Sequence, residues 1–212
     1  MKTPKNVYYD KRGASLVNNL KRRHFEAYYC ENKEDALKKA LELIPHGVSV
    51  AWGGALSAQQ IGLTDAILQG DYDAVPARLS QTEEEKERCR RDSIFCHTFI
   101  TGANGLSIDG QMVNIDGTGN RVAATIYGPQ SVIVIAGMNK VTDSVTEAVH
   151  RARTIAAPMN MQRFQKNTPC SLTGVCGDCK AEDCICNQIV ITRHCRPAGR
   201  IKFILVGEDL GM

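Results

Sequence analysis

Apolar residues recur every three or four positions in the segment Asn32–Ile44, which predicts an amphipathic helix. One stripe of the 3.6-residue period holds five apolar side chains, Ala36, Leu37, Ala40, Leu41 and Ile44. Asn32 is suited to cap the first turn, and Pro45 cannot continue a helix. The pattern therefore predicts a helix over residues 32–44 with one face in a core.

Short apolar runs alternate with helical segments along the rest of the chain. A strand at Val48–Ala51 is followed by the Gly53-Gly54 pair and by a helix that begins near Ser57, where Ser57-x-x-Gln60 has the form of a capping box. Further strands are predicted at Tyr72–Val75, Thr98–Thr101, Ser131–Ala136, Gln188–Thr192 and Arg200–Val206, and further helices from Thr82 to about Cys96 and at Thr142–Ile155. Such alternation predicts an α/β fold with an open, mostly parallel sheet flanked by helices.

One segment departs from this alternation. Ser107–Ile115 has two strand-like halves around Asp109-Gly110, a pair typical of a two-residue type I′ turn. We therefore expect an antiparallel hairpin inserted into the parallel fold. No repeat or linker divides the sequence, so residues 1–212 are interpreted as a single α/β domain.

Composition narrows the classes of function. The net charge is +3, from 26 basic and 23 acidic residues, and the basic cluster Lys21-Arg22-Arg23 is best explained as a solvated helix face. Charge thus gives no argument for nucleic-acid binding. No apolar run approaches the roughly 18 residues that a membrane span needs. The first residues also lack the apolar stretch of a secretory signal, so we expect a cytoplasmic, reduced protein.

Six of the nine cysteines lie between Cys170 and Cys195, and residues 167–195 are interpreted as a cysteine-rich metal-binding loop, in which periodicity is absent from Asn167 to Asn187. A reducing compartment favours metal binding over disulfides. The spacing Cys170-x5-Cys176-x2-Cys179-x6-Cys186 supplies four thiolates, which suit either tetrahedral zinc or a [4Fe–4S] cluster. The Gly177 that follows Cys176 permits the positive φ of a tight metal-binding turn. The alternative is that the clustered cysteines are reduced core residues, which is the preferred explanation for Cys30, Cys89 and Cys96. Cys184 and Cys195 are not needed as ligands and could lie around the metal site.

Glycine-containing turns follow three predicted strands, at Trp52–Gly54, Gly102–Gly105 and Gly137–Asn139. Open parallel sheets place ligands at such turns, and the amides after Gly53-Gly54 suit a phosphate or carboxylate, although a tight turn alone would also need glycine. The polar stretch Val113–Val122 is either an ordinary turn or an anion-recognition loop, with Arg121 as the cation and Asp116 as the candidate base. Neither a Walker A motif nor a complete dinucleotide fingerprint occurs.

The runs VSVAWGGALSAQQIGL, Thr101–Pro158 and PCSLTGVCGDC resemble the LUD-domain family, the lactate utilization proteins. The resemblance implies a fold like that of the NagB/RpiA isomerases and coenzyme A transferases, although no glutamate matches the transferase nucleophile. It implies a metal site at Cys170, Cys176, Cys179 and Cys186. It also implies a pocket around the remaining candidates, Gly53, Gly54, Asn104, Asp116, Asn120, Arg121 and Asn139.

Together these observations predict a protein that binds a small anionic organic acid or sugar-phosphate-like ligand over glycine loops, next to a zinc or [4Fe–4S] centre. Because some relatives work with iron–sulfur proteins that oxidise lactate, we expect a component of 2-hydroxy acid oxidation with redox protein partners. Two alternatives stay open: a non-enzymatic accessory subunit with structural zinc, and an isomerase or transferase with Asp116 as base. The oligomeric state, a homo-oligomer included, is left open by the sequence.

Overall fold

Six parallel strands form the main sheet, in the spatial order β1-β10-β7-β4-β2-β3. The computed structural model describes residues 2–75 and 80–212. The strands of this sheet are β1 (Glu26–Cys30), β2 (Ser49–Gly53), β3 (Asp73–Val75), β4 (Thr98–Gly102), β7 (Ser131–Gly137) and β10 (Ile201–Val206). The predicted open parallel sheet is confirmed.

Helices cover both faces of the main sheet. They are α1 (Pro4–Arg22), α2 (Lys33–Glu42), α3 (Leu56–Gln60), α4 (Leu63–Gln69), α5 (Glu83–Asp92), α6 (Asn120–Ile126), α7 (Val145–Arg151), α8 (Ala157–Met161) and α9 (Pro169–Thr173). Every residue of β7 is buried, and its side chains alternate between two cores. Val132 and Val134 join the core that contains Leu16 of α1, whereas Ile133 and Ile135 join the core on the opposite face. Burial on both faces explains why this strand is apolar throughout.

The helix starts predicted at Asn32 and Thr82 are confirmed, because each side chain accepts a backbone N–H three residues later. The helix after Thr82 ends at Asp92 and does not reach Cys96. The capping box predicted at Ser57 is wrong. Helix α3 begins at Leu56 without a side-chain cap, and Ser57 is buried, where its Oγ accepts a hydrogen bond from Lys140.

A second, four-stranded sheet has the order β8-β5-β6-β9, with β5 (Gly105–Ser107), β6 (Met112–Asp116), β8 (Val141–Thr142) and β9 (Gln188–Thr192). Strands β5 and β6 form the predicted antiparallel hairpin. Its turn is not type I′, because Gly110 has a φ of +91° while Asp109 does not adopt a positive φ. The amide of Gly110 donates to the carbonyl of Ser107, so the left-handed residue follows the turn instead of forming its centre.

Helix α1 and strand β1, in the first 30 residues, are not among the elements predicted from the sequence pattern. Helix α1 buries only Gly13, Leu16 and Leu20, so its apolar stripe is narrow. A Cβ atom at Gly13 would lie 2.3 Å from the Tyr29 ring, so close packing on β1 requires glycine here.

The helix predicted at 142–155 begins instead at Val145, after the cap Ser144, and continues through a π-helical turn to Met161. None of the described helices has the length and apolar character needed to cross a bilayer.

Candidate functional site

A cavity of about 480 Å³ opens at the carboxyl edge of the main sheet, and we call it the sheet-edge cavity. Strands β2, β4 and β7 are neighbours, so the turns that follow them meet at this edge. Six of the residues predicted from sequence line it, namely Gly53, Gly54, Asn104, Asp116, Asn120 and Arg121. Asn139 is not among the lining residues. Its side-chain Oδ1 instead accepts the backbone N–H of Leu210, 3.1 Å away.

Arg121 is 8% exposed, and its guanidinium is held by oxygen atoms of the protein. Nη1 donates to the Oδ1 of Asn114 at 2.9 Å and to the carbonyl of Gly102 at 3.3 Å. Nη2 donates to the Oδ1 of Asn104 at 2.9 Å and to the carbonyl of Ile115. Burial lowers the pKa of Arg121, and the nearby Asp116 opposes that effect. The geometry therefore makes Arg121 a brace between loops, with few N–H groups left for a ligand.

Asp116 is likewise engaged with the protein. Its Oδ1 accepts the amide of Gly119 at 3.3 Å, and its Oδ2 accepts the amide of Val122 at 3.1 Å. The same Oδ2 lies 3.7 Å from Nε of Arg121. These contacts tie the start of α6 to β6, which is a positioning role. A free general base would need an unengaged oxygen that faces the cavity.

Gly54 leaves room for the Arg121 side chain. The φ of Gly54 is +57°, and a Cβ atom on it would lie 2.7 Å from Cδ of Arg121. A Cβ atom on Gly53 would lie 3.2 Å from Phe99. The glycine pair is thus explained by backbone conformation and by the close approach of the arginine.

Lys140 lines the same cavity and was missed by sequence reasoning, although it directly follows the Gly137–Asn139 turn. It is 4% exposed, and its Nζ donates to the Oγ of Ser57 at 3.1 Å and to the carbonyl of Ala103 at 3.0 Å. Burial, together with the nearby cations Arg151 and Arg121, lowers the pKa of Lys140 to about 7. The signal available in the sequence was a lysine directly after a predicted sheet-edge glycine turn, and its burial became visible only in the structure.

Cationic side chains also stand at the outer part of the cavity, at Arg90, Arg163 and Lys166. Arg163 and Lys166 are exposed. Including Arg121 and Lys140, five basic side chains and one acidic side chain, that of Asp116, line the cavity. The balance favours anionic over cationic ligands.

A second cavity of about 80 Å³ lies in the cysteine-rich segment, and we call it the cysteine cavity. Five cysteines line it, the four predicted ligands Cys170, Cys176, Cys179 and Cys186 together with Cys184. Burial, together with the thiols of Cys184, Cys176 and Cys170, raises the pKa of Cys186 to about 12. Distant parts of the segment are thus brought within electrostatic range of one another.

Polar contacts hold this segment in place. Asp183 accepts the backbone N–H of Asn167 at 2.9 Å and pairs with Nζ of Lys166 at 3.1 Å. Nε2 of Gln162 donates to the carbonyl of Cys170 at 2.8 Å. The long loop therefore has ties made by the protein itself.

Two sequence interpretations of this segment need correction. The left-handed residue of the Cys176–Cys179 turn is Asp178, with a φ of +48°, and Gly177 does not have a positive φ. Gly177 instead lies against Pro169, where a Cβ atom would be 3.1 Å away. Cys195 does not lie around this cavity, because it is 1% exposed and packs in the core that contains Leu16 of α1. Cys30 and Cys96 are buried in the two cores as expected.

The two cavities share a wall. Cys184 and Ile185 line both the cysteine cavity and the sheet-edge cavity. Within residues 2–75 and 80–212, no three Cys, His, Asp or Glu side chains are placed to hold a metal ion. The cysteines therefore surround a shared volume without converging on one point.

The family model described as the LUD domain matches residues 14–206. The chain belongs to the LUD domain family. The match extends from α1 to the last strand of the main sheet, so the residues that line the two cavities of this LUD domain lie within the matched range, with the exception of Met212.

One solved structure shares the fold of this LUD domain. A crystal structure of a DUF162 family protein from Deinococcus radiodurans aligns with a TM-score of 0.51 over 95% of this chain and 97% of that chain, at 8% identity. A structure of eIF2B delta from Chaetomium thermophilum overlaps with a TM-score of 0.35 over 65% of this chain and 57% of that chain, at 13% identity. No curated protein shows significant sequence similarity to the chain. The likeness to the DUF162 family protein, at 8% identity, concerns the fold alone.

Proposed function

We propose that this LUD domain protein binds a small organic anion, either an organic acid or a sugar-phosphate-like compound, in the sheet-edge cavity. Five basic side chains and a single acidic side chain line that cavity, which supports an anionic ligand. Its volume of about 480 Å³ lies in the range of small-molecule sites. Arg163 and Lys166 at the exposed part are the side chains best placed to meet a ligand charge.

We further propose that Cys170, Cys176, Cys179 and Cys186 hold a metal centre in the cysteine cavity. Tetrahedral zinc requires four sulfurs about 2.3 Å from one point, whereas a cubane binds one thiolate per iron and keeps the sulfurs apart. The cysteines that surround the cavity of about 80 Å³ could supply thiolates to either centre, and we propose the [4Fe–4S] form because a redox role needs it. Such a cluster, when bound, supplies one-electron transfer.

The shared wall of Cys184 and Ile185 is the observation that carries the functional proposal. A ligand in the sheet-edge cavity would lie next to the proposed centre, as a role in the oxidation of lactate or another 2-hydroxy acid requires. The partners implied are iron–sulfur or other redox proteins. All nine cysteines are free, which is consistent with the reducing cytoplasm that we propose as the location.

Anaerobic purification, followed by iron, sulfide and zinc analysis and an absorption spectrum, tests the centre. We expect a brown protein that contains iron and sulfide, and the Cys176→Ser variant should lose both. Cys89→Ser is the matched control, because Cys89 lies on α5 outside the cysteine cavity and should keep the centre. Bleaching of the visible band by lactate would support the redox role.

A colourless protein with stoichiometric zinc would instead support the accessory subunit with a structural zinc site. In that case Cys176→Ser should disorder the segment and lower stability. If the native protein contains neither iron nor zinc, both forms of the proposal are contradicted.

Calorimetric titration with lactate and with inorganic phosphate tests the sheet-edge cavity. Arg163→Met should weaken anion binding several-fold, because it removes a charge that lines the cavity. Arg91→Met removes a charge on the outside of α5 and should leave binding unchanged. Equal affinities for all three proteins would count against the cavity as the anion site.

A further inference from the structure

Lys140 has surroundings that differ from those of an ordinary anion-binding lysine. It is 4% exposed, yet it lines the sheet-edge cavity. Among the described ion pairs, none joins a carboxylate to its ammonium group, and the charged groups that act on it are the cations Arg151 and Arg121. A lysine that served only as a fixed charge would gain stability from an acidic neighbour, and this lysine has cationic neighbours instead.

The hydrogen bonds of Nζ suit a neutral amine. They run to Oγ of Ser57 at 3.1 Å and to the carbonyl oxygen of Ala103 at 3.0 Å. A neutral amine has two N–H groups and one lone pair, whereas an ammonium group has three N–H groups. The two acceptors therefore engage both N–H groups of the neutral form and leave its lone pair unused. Burial lowers the pKa of Lys140 to about 7, which supports a large neutral fraction slightly above neutral pH.

Glycines keep side chains away from the amine. A Cβ atom on Gly211 would lie 2.7 Å from Nζ, and a Cβ atom on Gly102 would lie 3.9 Å from it. The carboxyl end of β4 and the segment around Gly211 thus approach the amine closely without covering it with side chains. On the Gly102 and Gly211 sides, an electrophile that approaches Nζ from the sheet-edge cavity would therefore meet backbone and no side chain.

We propose that Lys140 is a nucleophile that forms an imine with small carbonyl compounds that carry an anionic group, such as 2-oxo acids or keto phosphates. This inference rests on the proposed function, because the cationic lining of the same cavity is what selects the anionic group. The lone pair of Nζ attacks the carbonyl carbon as the π electrons move to oxygen. Nitrogen then loses both of its protons to that oxygen, the C–O bond breaks, and water leaves as the C=N bond forms. No other reactant is needed.

Lys202 provides an internal control for this chemistry. Its Nζ donates to the Oγ of Ser131 at 3.0 Å and to the carbonyl of Gly199 at 3.1 Å, the same kinds of partner that Lys140 has. Lys202 stands at the amino end of β10, and it does not line the sheet-edge cavity. Hydrogen bonding alone would make the two lysines equally reactive, whereas the proposal makes only Lys140 reactive.

The test is reductive trapping on the native protein. The protein is incubated with pyruvate, or separately with dihydroxyacetone phosphate, and treated with sodium borohydride, which reduces an imine to a stable secondary amine. Peptide mapping by mass spectrometry should then find the reduced adduct on Lys140 and not on Lys202. The two compounds distinguish a 2-oxo acid from a keto phosphate as the preferred substrate class.

Absence of an adduct on Lys140 with both compounds, or equal labelling of Lys202, would overturn the proposal. The calorimetric titration with lactate and phosphate separates the two hypotheses, because anion binding without an adduct would refute the imine and leave the proposed ligand site standing. Lys140→Arg keeps the positive charge and cannot form the imine, so it should show no adduct at position 140. An adduct that persists in the mapped peptide of that variant would also overturn the assignment.

Discussion

The Nζ atom of Lys140 lies 3.1 Å from the Oγ atom of Ser57, a partner 83 positions away in the sequence. The pair places an amine below the carboxyl edge of the main sheet, with the carbonyl of Ala103 as the second acceptor. The folded protein keeps this amine out of water and next to guanidinium groups. Stability should therefore depend on pH through Lys140.

Lys140→Met should change that dependence. The pKa of Lys140 falls from its ordinary value of 10.5 to about 7 on folding, so between these two pH values the unfolded chain binds more protons. The contribution of this group to stability is then complete above about pH 10.5 and decreases as the pH falls toward 7. As the pH falls across this window, the free energy of unfolding of the wild type should decrease by about 3–5 kcal/mol relative to that of Lys140→Met. Urea unfolding at several pH values measures the difference.

The control for this series is Lys202→Met, which removes a lysine with the same kinds of hydrogen-bond acceptor outside the cavity. A stability difference between wild type and Lys140→Met that stays constant with pH would show that the amine remains charged in the folded protein.

Gly54→Ala should destabilise the fold more than Gly47→Ala does. Both glycines have positive φ, +57° and +72°, so both substitutions strain the backbone by about 1 kcal/mol. Only at Gly54 would the new Cβ meet another group, Cδ of Arg121 at 2.7 Å, whereas nothing lies within 4 Å of a Cβ at Gly47. We expect an additional loss of about 1–3 kcal/mol at Gly54, measured by urea unfolding. Equal losses would mean that Arg121 moves aside without cost.

Asp116→Asn should lower stability by about 2–4 kcal/mol, because it leaves the buried Arg121 guanidinium without its carboxylate. Asp109→Asn is the comparison, since Asp109 pairs with Arg23 at the surface and should cost less than about 1 kcal/mol. Thermal unfolding of the two variants measures the difference. A variant at position 116 that keeps its stability but loses turnover of a bound substrate would restore Asp116 as a catalytic base.

Arg151→Lys should loosen the turns that form the sheet-edge cavity. The Arg151 guanidinium donates to the carbonyls of Asn104, Asn139 and Met212, which belong to three separate segments. A lysine lacks the planar fork that reaches several acceptors at once, so stability should fall by about 1–3 kcal/mol. The exposed substitution Arg91→Lys should be nearly neutral in thermal unfolding. Similar melting temperatures for both variants would contradict the bracing role of Arg151.

Local elements were predictable because short-range forces determine them. The cap at Asn32 and the capping box at Thr82 depend on residues three positions apart, and the apolar run of β7 reports its burial on both faces. Ser57 shows the limit of such reasoning. Its spacing to Gln60 satisfies the capping pattern, yet its hydroxyl faces Lys140, because a hydrogen bond within the core uses the oxygen that a cap would need.

The candidate site, like the fold, was predictable from the sequence only in part. Glycine turns after parallel strands indicated the position of the sheet-edge cavity, and cysteine spacing selected four of the five cysteines that line the cysteine cavity but left out Cys184. The roles of individual side chains were not accessible. Arg121 is a brace and not a free cation because its acceptors come from β4, β6 and the turn between them.

The sequence by itself determined the alternation of strands and helices, the family resemblance and the grouping of the cysteines, because periodicity and spacing act over a few residues. Only the tertiary structure decided that Lys140 lies buried beside Ser57 and Ala103, partners 83 and 37 positions away. It also decided that Cys184 and Ile185 separate two cavities. Burial and electrostatic environment arise from segments that meet only when the chain folds, and these properties set the chemistry of an amine or a thiol.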